Sequence, residues 1–252
     1  MKDKAELEFK PTAQDFLAAK VDQVFKNHLL LIDKVGVRVT TNLITHQERV
    51  ADGPEKTICA LLLNAMSSLM AALELMRRGF PLQVGILVRN AIEVMALAAV
   101  VKSDGQAYEK HKKGKLDSSS CIGIVRTTWP QVGNVIAKVW GDLSKDFTHV
   151  GLLYQRWQMV SPVPTNGELF ALGTVLMPIK FTLHTLDLLS EVICYRYVPR
   201  PRFWKRLEAN KYEFDPTPDG KAWMETFLTD PCKDIPDAES TESSTAKKEK
   251  TS

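Results

Sequence analysis

Arg89 and Glu93, in the segment LVRNAIEVMALAAVV, are the first residues whose types and spacing could do chemistry. Their i, i+4 spacing lets a guanidinium and a carboxylate pair on one helical face. Charges in so apolar a helix must reach solvent or find partners in a partly buried groove. One reading makes Arg89 an anion binder, its fork matched to a phosphate, with Glu93 orienting it. The other is a structural salt bridge that fixes helix register.

A second candidate is the segment LSKDFTHVG, residues 143–151. His149 follows Asp146 by three residues and Asp142 by seven, so the three share a face if the helix persists that far. A helix C-terminus and nearby carboxylates favour the protonated imidazole, which suits a general acid or base near neutral pH. The alternative is a capping histidine that bonds the last carbonyls or packs on Trp140. Third comes the basic, aromatic run from Tyr195 to Arg206. Arg196, Arg200, Arg202, Lys205 and Arg206 supply charge without an intervening acid, and Phe203 and Trp204 supply rings. Stacking rings beside cations suit single-stranded nucleic acid or an anionic membrane surface. The competing reading packs the rings on the protein and points the arginines at water.

Of the other histidines, His28 falls in an apolar stripe and reads as a core residue, and His111 sits in the lysine-rich stretch YEKHKKGK. His184, Asp187 and Glu191 share an i, i+3, i+7 face, but no fourth ligand can be named, so no metal or cofactor is expected. The four cysteines form no C-x-x-C pair and read as reduced thiols.

In chain order these features resemble a family of uncharacterised all-helical bacterial proteins. That family carries Arg-x-x-x-Glu on an apolar helix, a Lys/His-containing helix, and Leu-Ser-x-x-x-His at a later helix end. Here the three are Arg89–Glu93, Tyr108-Glu109-Lys110-His111, and Leu143-Ser144 followed by His149, all within about 56–151. The layout is similar to the HEPN helical superfamily, many of whose members are metal-independent RNases or partners in toxin and phage-defence systems. The resemblance implies Arg89 stabilising phosphorane charge, His149 as acid or base, and Glu93 as orienter. HEPN nucleases place a His four to six residues after the Arg. Here Val94, Met95 and Ala96 follow Glu93, so Arg89 and His149 would have to meet across helices.

Sequence signatures of P-loop NTPases, dinucleotide-binding folds, α/β-hydrolases and zinc proteases are all absent. With 252 residues, 44% hydrophobic and 25% charged, the chain has globular composition, and its net charge of +3 is too small to imply a polyanion partner by itself. The N-terminus lacks the apolar run of a secretory signal, giving the expectation of a cytoplasmic protein. The most apolar stretches, 58–76 and 82–101, hold polar residues that include Glu74, Arg89 and Glu93. A charge at mid-membrane costs about 2.5–3.5 kcal/mol, which argues for core helices and against a transmembrane span.

Those residues must be positioned by helices. Proline-free windows between Pro11 and Pro54 and between Pro81 and Pro130 carry apolar residues at helical spacing. Helices are expected over about 12–44, 58–76, 81–102, 130–147 and 166–197, the last kinked at Pro178. The fold class is all-α, a bundle of four to five long helices over 12–198, with a small hairpin near 152–160. A proline- and aromatic-rich extension, 199–232, and a disordered tail, 233–252, follow. The function expected is binding of RNA or another phosphate-rich ligand, with metal-independent cleavage. The alternative is a non-enzymatic module for homo-oligomerisation or a protein partner in a defence or regulatory complex.

Overall fold

A computed structural model describes residues 12–148, 160–208 and 211–235. In chain order the helices are α1 (Ala13–Val24), α2 (Lys26–Arg49), α3 (Pro54–Arg77), α4 (Pro81–Ser103), α5 (Gly105–Lys112), α6 (Ser118–Thr128), α7 (Pro130–Leu143), α8 (Asn166–Ile193) and α9 (Pro218–Phe227). A π-helical turn, Ser144–Thr148, extends α7, and 3-10 turns cover Tyr195–Tyr197 and Pro231–Asp234. Strands β1 (Trp204–Glu208) and β2 (Lys211–Phe214) form an antiparallel hairpin, with Trp204 opposite Phe214. The fold is all-α with one small hairpin.

Prolines open α3, α4 and α7 at the first helical turn, where a missing N–H costs nothing. Gly79 ends the α3 turn with φ +81, a left-handed conformation, and a Cβ there would lie 2.6 Å from Leu17 Cδ2. Arg77, just before it, reaches back to α1, its Nε donating to Asp22 at 2.6 Å. The expected single helix over 12–44 is two. The chain turns at Phe25 (φ −99, ψ 21), whose side chain is fully buried. No proline or glycine marks that break; burial of the ring does. Two further helices, α5 and α6, lie between the helices expected over 81–102 and 130–147. The expected hairpin near 152–160 falls almost wholly outside the described residues. The observed one lies at 204–214, inside the extension expected to follow the bundle. The tail expected from 233 begins inside the last 3-10 turn, and residues 236–252 are outside the described set.

The central helix is α4, which packs on α3, α5, α6, α7, α8 and the π-helical turn. Twelve of its residues are buried, among them Val88, Ala91, Ile92 and Met95. By length and composition α3, α4 and α8 are each apolar enough to cross a membrane, so the polar residues within them do not mark them as core helices. The most apolar stretch of α3 is 39% buried inside the molecule, against 61% in α4 and 67% in α8.

Gly85 is where the π-helical turn meets α4. A Cβ on it would sit 2.1 Å from Cγ of Phe147, so the ring lies directly on the backbone. Gly123, inside α6, has nothing within 4 Å of the same position. Replacing each with alanine therefore has opposite effects. Gly85→Ala displaces Phe147 and lowers stability by about 1–3 kcal/mol. Gly123→Ala raises it by roughly 0.5–1 kcal/mol through helix propensity. Urea unfolding midpoints of the two variants check both signs.

Candidate functional site

On the outer side of α4, Arg89 Nη2 lies 3.1 Å from Glu93 Oε1. The same oxygen accepts the Trp140 indole N–H from α7 at 2.9 Å, and Glu93 Oε2 accepts the Ser118 hydroxyl at 3.3 Å. Trp140 also lies under the guanidinium, 5.2 Å from ring centroid to Arg89 Cζ, a cation–π contact. Glu93 is thus satisfied from three directions and holds Arg89 in one orientation. Arg89 stays 30% exposed, and its Nε is buried with no hydrogen-bond partner among the described residues. One turn before Arg89 sits the Gly85–Phe147 contact. One turn beyond Glu93, Leu97 lines a surface depression with His111, Lys115, Asp117 and Ser118. Three stretches far apart in sequence therefore meet along α4: the Arg89–Glu93 pair, the lysine-rich α5–α6 loop and the π-helical turn. A π-helical turn inside or beside an α-helix is frequent at functional sites. His149 itself lies outside the described residues.

The basic run of 196–206 divides between surface and interior. Arg196, Arg200, Lys205 and Arg206 are exposed. Phe203 is fully buried, which removes its ring from any stacking surface. Trp204 donates its indole N–H to the Leu188 carbonyl at 2.9 Å. Arg202 is bound to Asp187 of α8 at 3.3 Å, a carboxylate also held by Arg38 of α2. Glu191 Oε1 accepts the backbone N–H groups of Arg202, Phe203 and Trp204 at 2.9, 2.8 and 3.1 Å.

These contacts belong to a stripe of four buried ionisable residues on α8: Lys180, His184, Asp187 and Glu191. Lys180, fully buried, donates to the Thr229 carbonyl at 2.5 Å and to His28 Nδ1 at 2.7 Å. With Nδ1 accepting, the His28 ring proton sits on Nε2 and faces Asp234 Oδ2 at 3.3 Å. Burial pushes the Lys180 ammonium down to about 8, although Asp234 and Asp230 pull it upward. His184 stands edge-on to Phe203, with ring centroids 5.5 Å apart. The stripe was only half visible in the sequence. His184, Asp187 and Glu191 show as one face, but Lys180 passes for an ordinary solvated lysine. Its one signal is its place between Ile179 and Phe181. Among the described residues no three His, Cys, Asp or Glu side chains are grouped to hold a metal. The thiols of Cys59 and Cys194 are pushed up by burial to about 11 and about 12, and so are poor nucleophiles.

No family model matches the chain, and no curated protein or solved structure matches it.

The stripe makes stability depend on acid. Burial, with Arg202 and Arg38 adding, pushes the His184 imidazole down to about 4 from its ordinary 6.5. Between those two values the unfolded chain binds a proton that the folded chain refuses. Stability therefore falls as pH drops from 6.5 to about 4. Over that window wild type should lose up to about 3 kcal/mol more than His184→Phe, which cannot titrate. Chemical unfolding of both proteins across the window measures the difference.

Proposed function

We propose that the outer side of α4 binds a phosphate-rich ligand, RNA first among them, with Arg89 as the anchoring group. The observation that carries this reading is the Arg89 guanidinium, part exposed and fixed by both Glu93 and the Trp140 ring. A planar fork held in place loses little entropy when it grips a phosphate. Lys113 and Lys115 are exposed in the α5–α6 loop, which meets α4 at Leu97 through Lys115, and add positive charge on that side. For cleavage, a ribose 2′-hydroxyl attacks the adjacent phosphorus, the P–O5′ bond breaks, and a 2′,3′-cyclic phosphate and a 5′-hydroxyl result. His149 would move the proton in that scheme, and Arg89 would stabilise the charge on the pentacoordinate phosphorus. Glu93 is a positioning residue, since it touches Arg89 and not the ligand.

A second reading is association without catalysis. It is favoured by the exposed apolar side chains of α1 and α2: Phe16, Leu30, Val37 and Ile44.

The deciding experiment incubates the protein with mixed cellular RNA in EDTA, beside Arg89→Ala and His149→Ala variants of matched circular dichroism. Wild type cleaves; each variant is slower by roughly 10²–10³-fold, the loss typical for one charge-stabilising donor. In parallel, Arg89→Ala weakens RNA binding about tenfold or more, as expected for a lost charge-assisted hydrogen bond. Equal RNA affinity in wild type and Arg89→Ala overturns the assignment of Arg89. Binding without cleavage leaves a phosphate-binding module.

A further inference from the structure

One face of α2 is turned away from the rest of the described molecule. Ile32, Val35, Val39 and Leu43 are buried on its inner side, while Leu30, Val37 and Ile44 are 52%, 61% and 42% exposed. Aliphatic residues one heptad apart in water form a stripe, and burying each fully is worth roughly 1.5–3 kcal/mol. Lys26, Asp33, Thr41 and Glu48 are exposed on the same face. Together the positions 26, 30, 33, 37, 41, 44 and 48 step by 4, 3, 4, 4, 3 and 4. At about 100° per residue all seven lie within roughly 40° of Val37.

The pattern of steps reads the same in both directions from Val37, and the residues at mirrored positions are chemically complementary. Laid antiparallel against its own copy about a two-fold axis, the seam brings Val37 to Val37 and Leu30 to Ile44. It also brings Asp33 to Thr41 and Lys26 to Glu48. Each pair is complementary: aliphatic on aliphatic, carboxylate on hydroxyl, ammonium on carboxylate. An in-register parallel arrangement would instead oppose Lys26 to Lys26, Asp33 to Asp33 and Glu48 to Glu48, three like-charge contacts. Self-complementarity about one axis is what an isologous contact requires. An anionic lipid surface fits less well, because Asp33 and Glu48 would face it.

We infer that the exposed seam of α2 is the contact for a second copy of this chain, packed antiparallel about a two-fold axis through Val37. The inference specifies the association reading given above. Arg89 and the other residues assigned to ligand binding lie off the seam, so RNA binding and self-association are lost by different variants. From Lys26 to Glu48 the seam is roughly 33 Å long, at 1.5 Å per residue. That is enough for about six turns of side-chain contact between helices 8–10 Å apart.

Cysteine placement tests the geometry on the full chain. On the axis, a Val37→Cys sulfur faces its own copy, so mild oxidation converts the protein to a disulfide-linked dimer of twice the mass. Leu30→Cys alone does not cross-link, because its counterpart is two heptads away, roughly 21 Å. The Leu30→Cys/Ile44→Cys double variant does. Wild type is the control for the native thiols, of which Cys59, Cys121 and Cys194 are buried and Cys232 partly so. Val37→Asp sets two carboxylates face to face and returns a monomer in sedimentation, with helicity unchanged. A strictly monomeric wild type overturns the inference. So does self-cross-linking of Leu30→Cys that matches that of Val37→Cys, or the absence of cross-linking by Val37→Cys in a folded protein.

Discussion

Of the four ionisable side chains buried along one stripe of α8, Lys180, Asp187 and Glu191 stay there because each is given a partner. His184, whose buried Nδ1 has no hydrogen bond among the described residues, stays because burial keeps it uncharged. On α8 the partners come from three separate parts of the chain. His28 and Arg38 arrive from α2, Thr229 and Asp234 from the segment after α9, and the backbone of residues 202–204 from the approach to the hairpin. An unpartnered buried charge costs several kcal/mol, whereas a well-packed apolar stripe would have been at least as stable. Through these contacts the stripe ties residues 202–204 and 229–234 to α2 and α8.

The side of α4 is organised differently. Its inner surface is aliphatic and continuous with the core, and apart from Lys102 near its end, paired with Glu55, its charge is the one ion pair at the outer edge. There, Glu93 spends its hydrogen-bonding capacity on Arg89, Trp140 and Ser118. Three elements, α4, α6 and α7, are thereby tied to one carboxylate, and the guanidinium is the group left facing outward. A rigid cation on a rigid helix is the arrangement that binds an anion without reorganisation.

Much of the fold was legible because its punctuation is local. Pro81 and Pro130 begin helices where expected, Pro54 opens α3 four residues before the expected start at 58, and Gly79 ends the α3 turn. The Arg89–Glu93 pair was legible for the same reason, since an i, i+4 spacing is a local fact. What escaped was long-range. The break at Phe25 is made by a ring entering the core, and no breaker residue announces it. The partners of Lys180 stand 152 and 49 residues away, so a buried lysine looks like a solvated one. The hairpin at 204–214 was read as extension because prolines and arginines around it dominate the composition. Its signal was Tyr212 and Phe214 in alternation after Asn210.

The clamp made by Glu191 has a consequence for how this chain can change over evolutionary time. One carboxylate oxygen gathers three successive backbone N–H groups, and a backbone amide is the same whatever side chain it carries. The anchor is therefore blind to composition and sensitive only to spacing. Residue types at the clamped positions are free to drift as far as their other contacts allow, with proline alone barred for want of an N–H. Insertion or deletion of a single residue in that short span would shift all three donors at once. Length is held fixed there, while spelling is not.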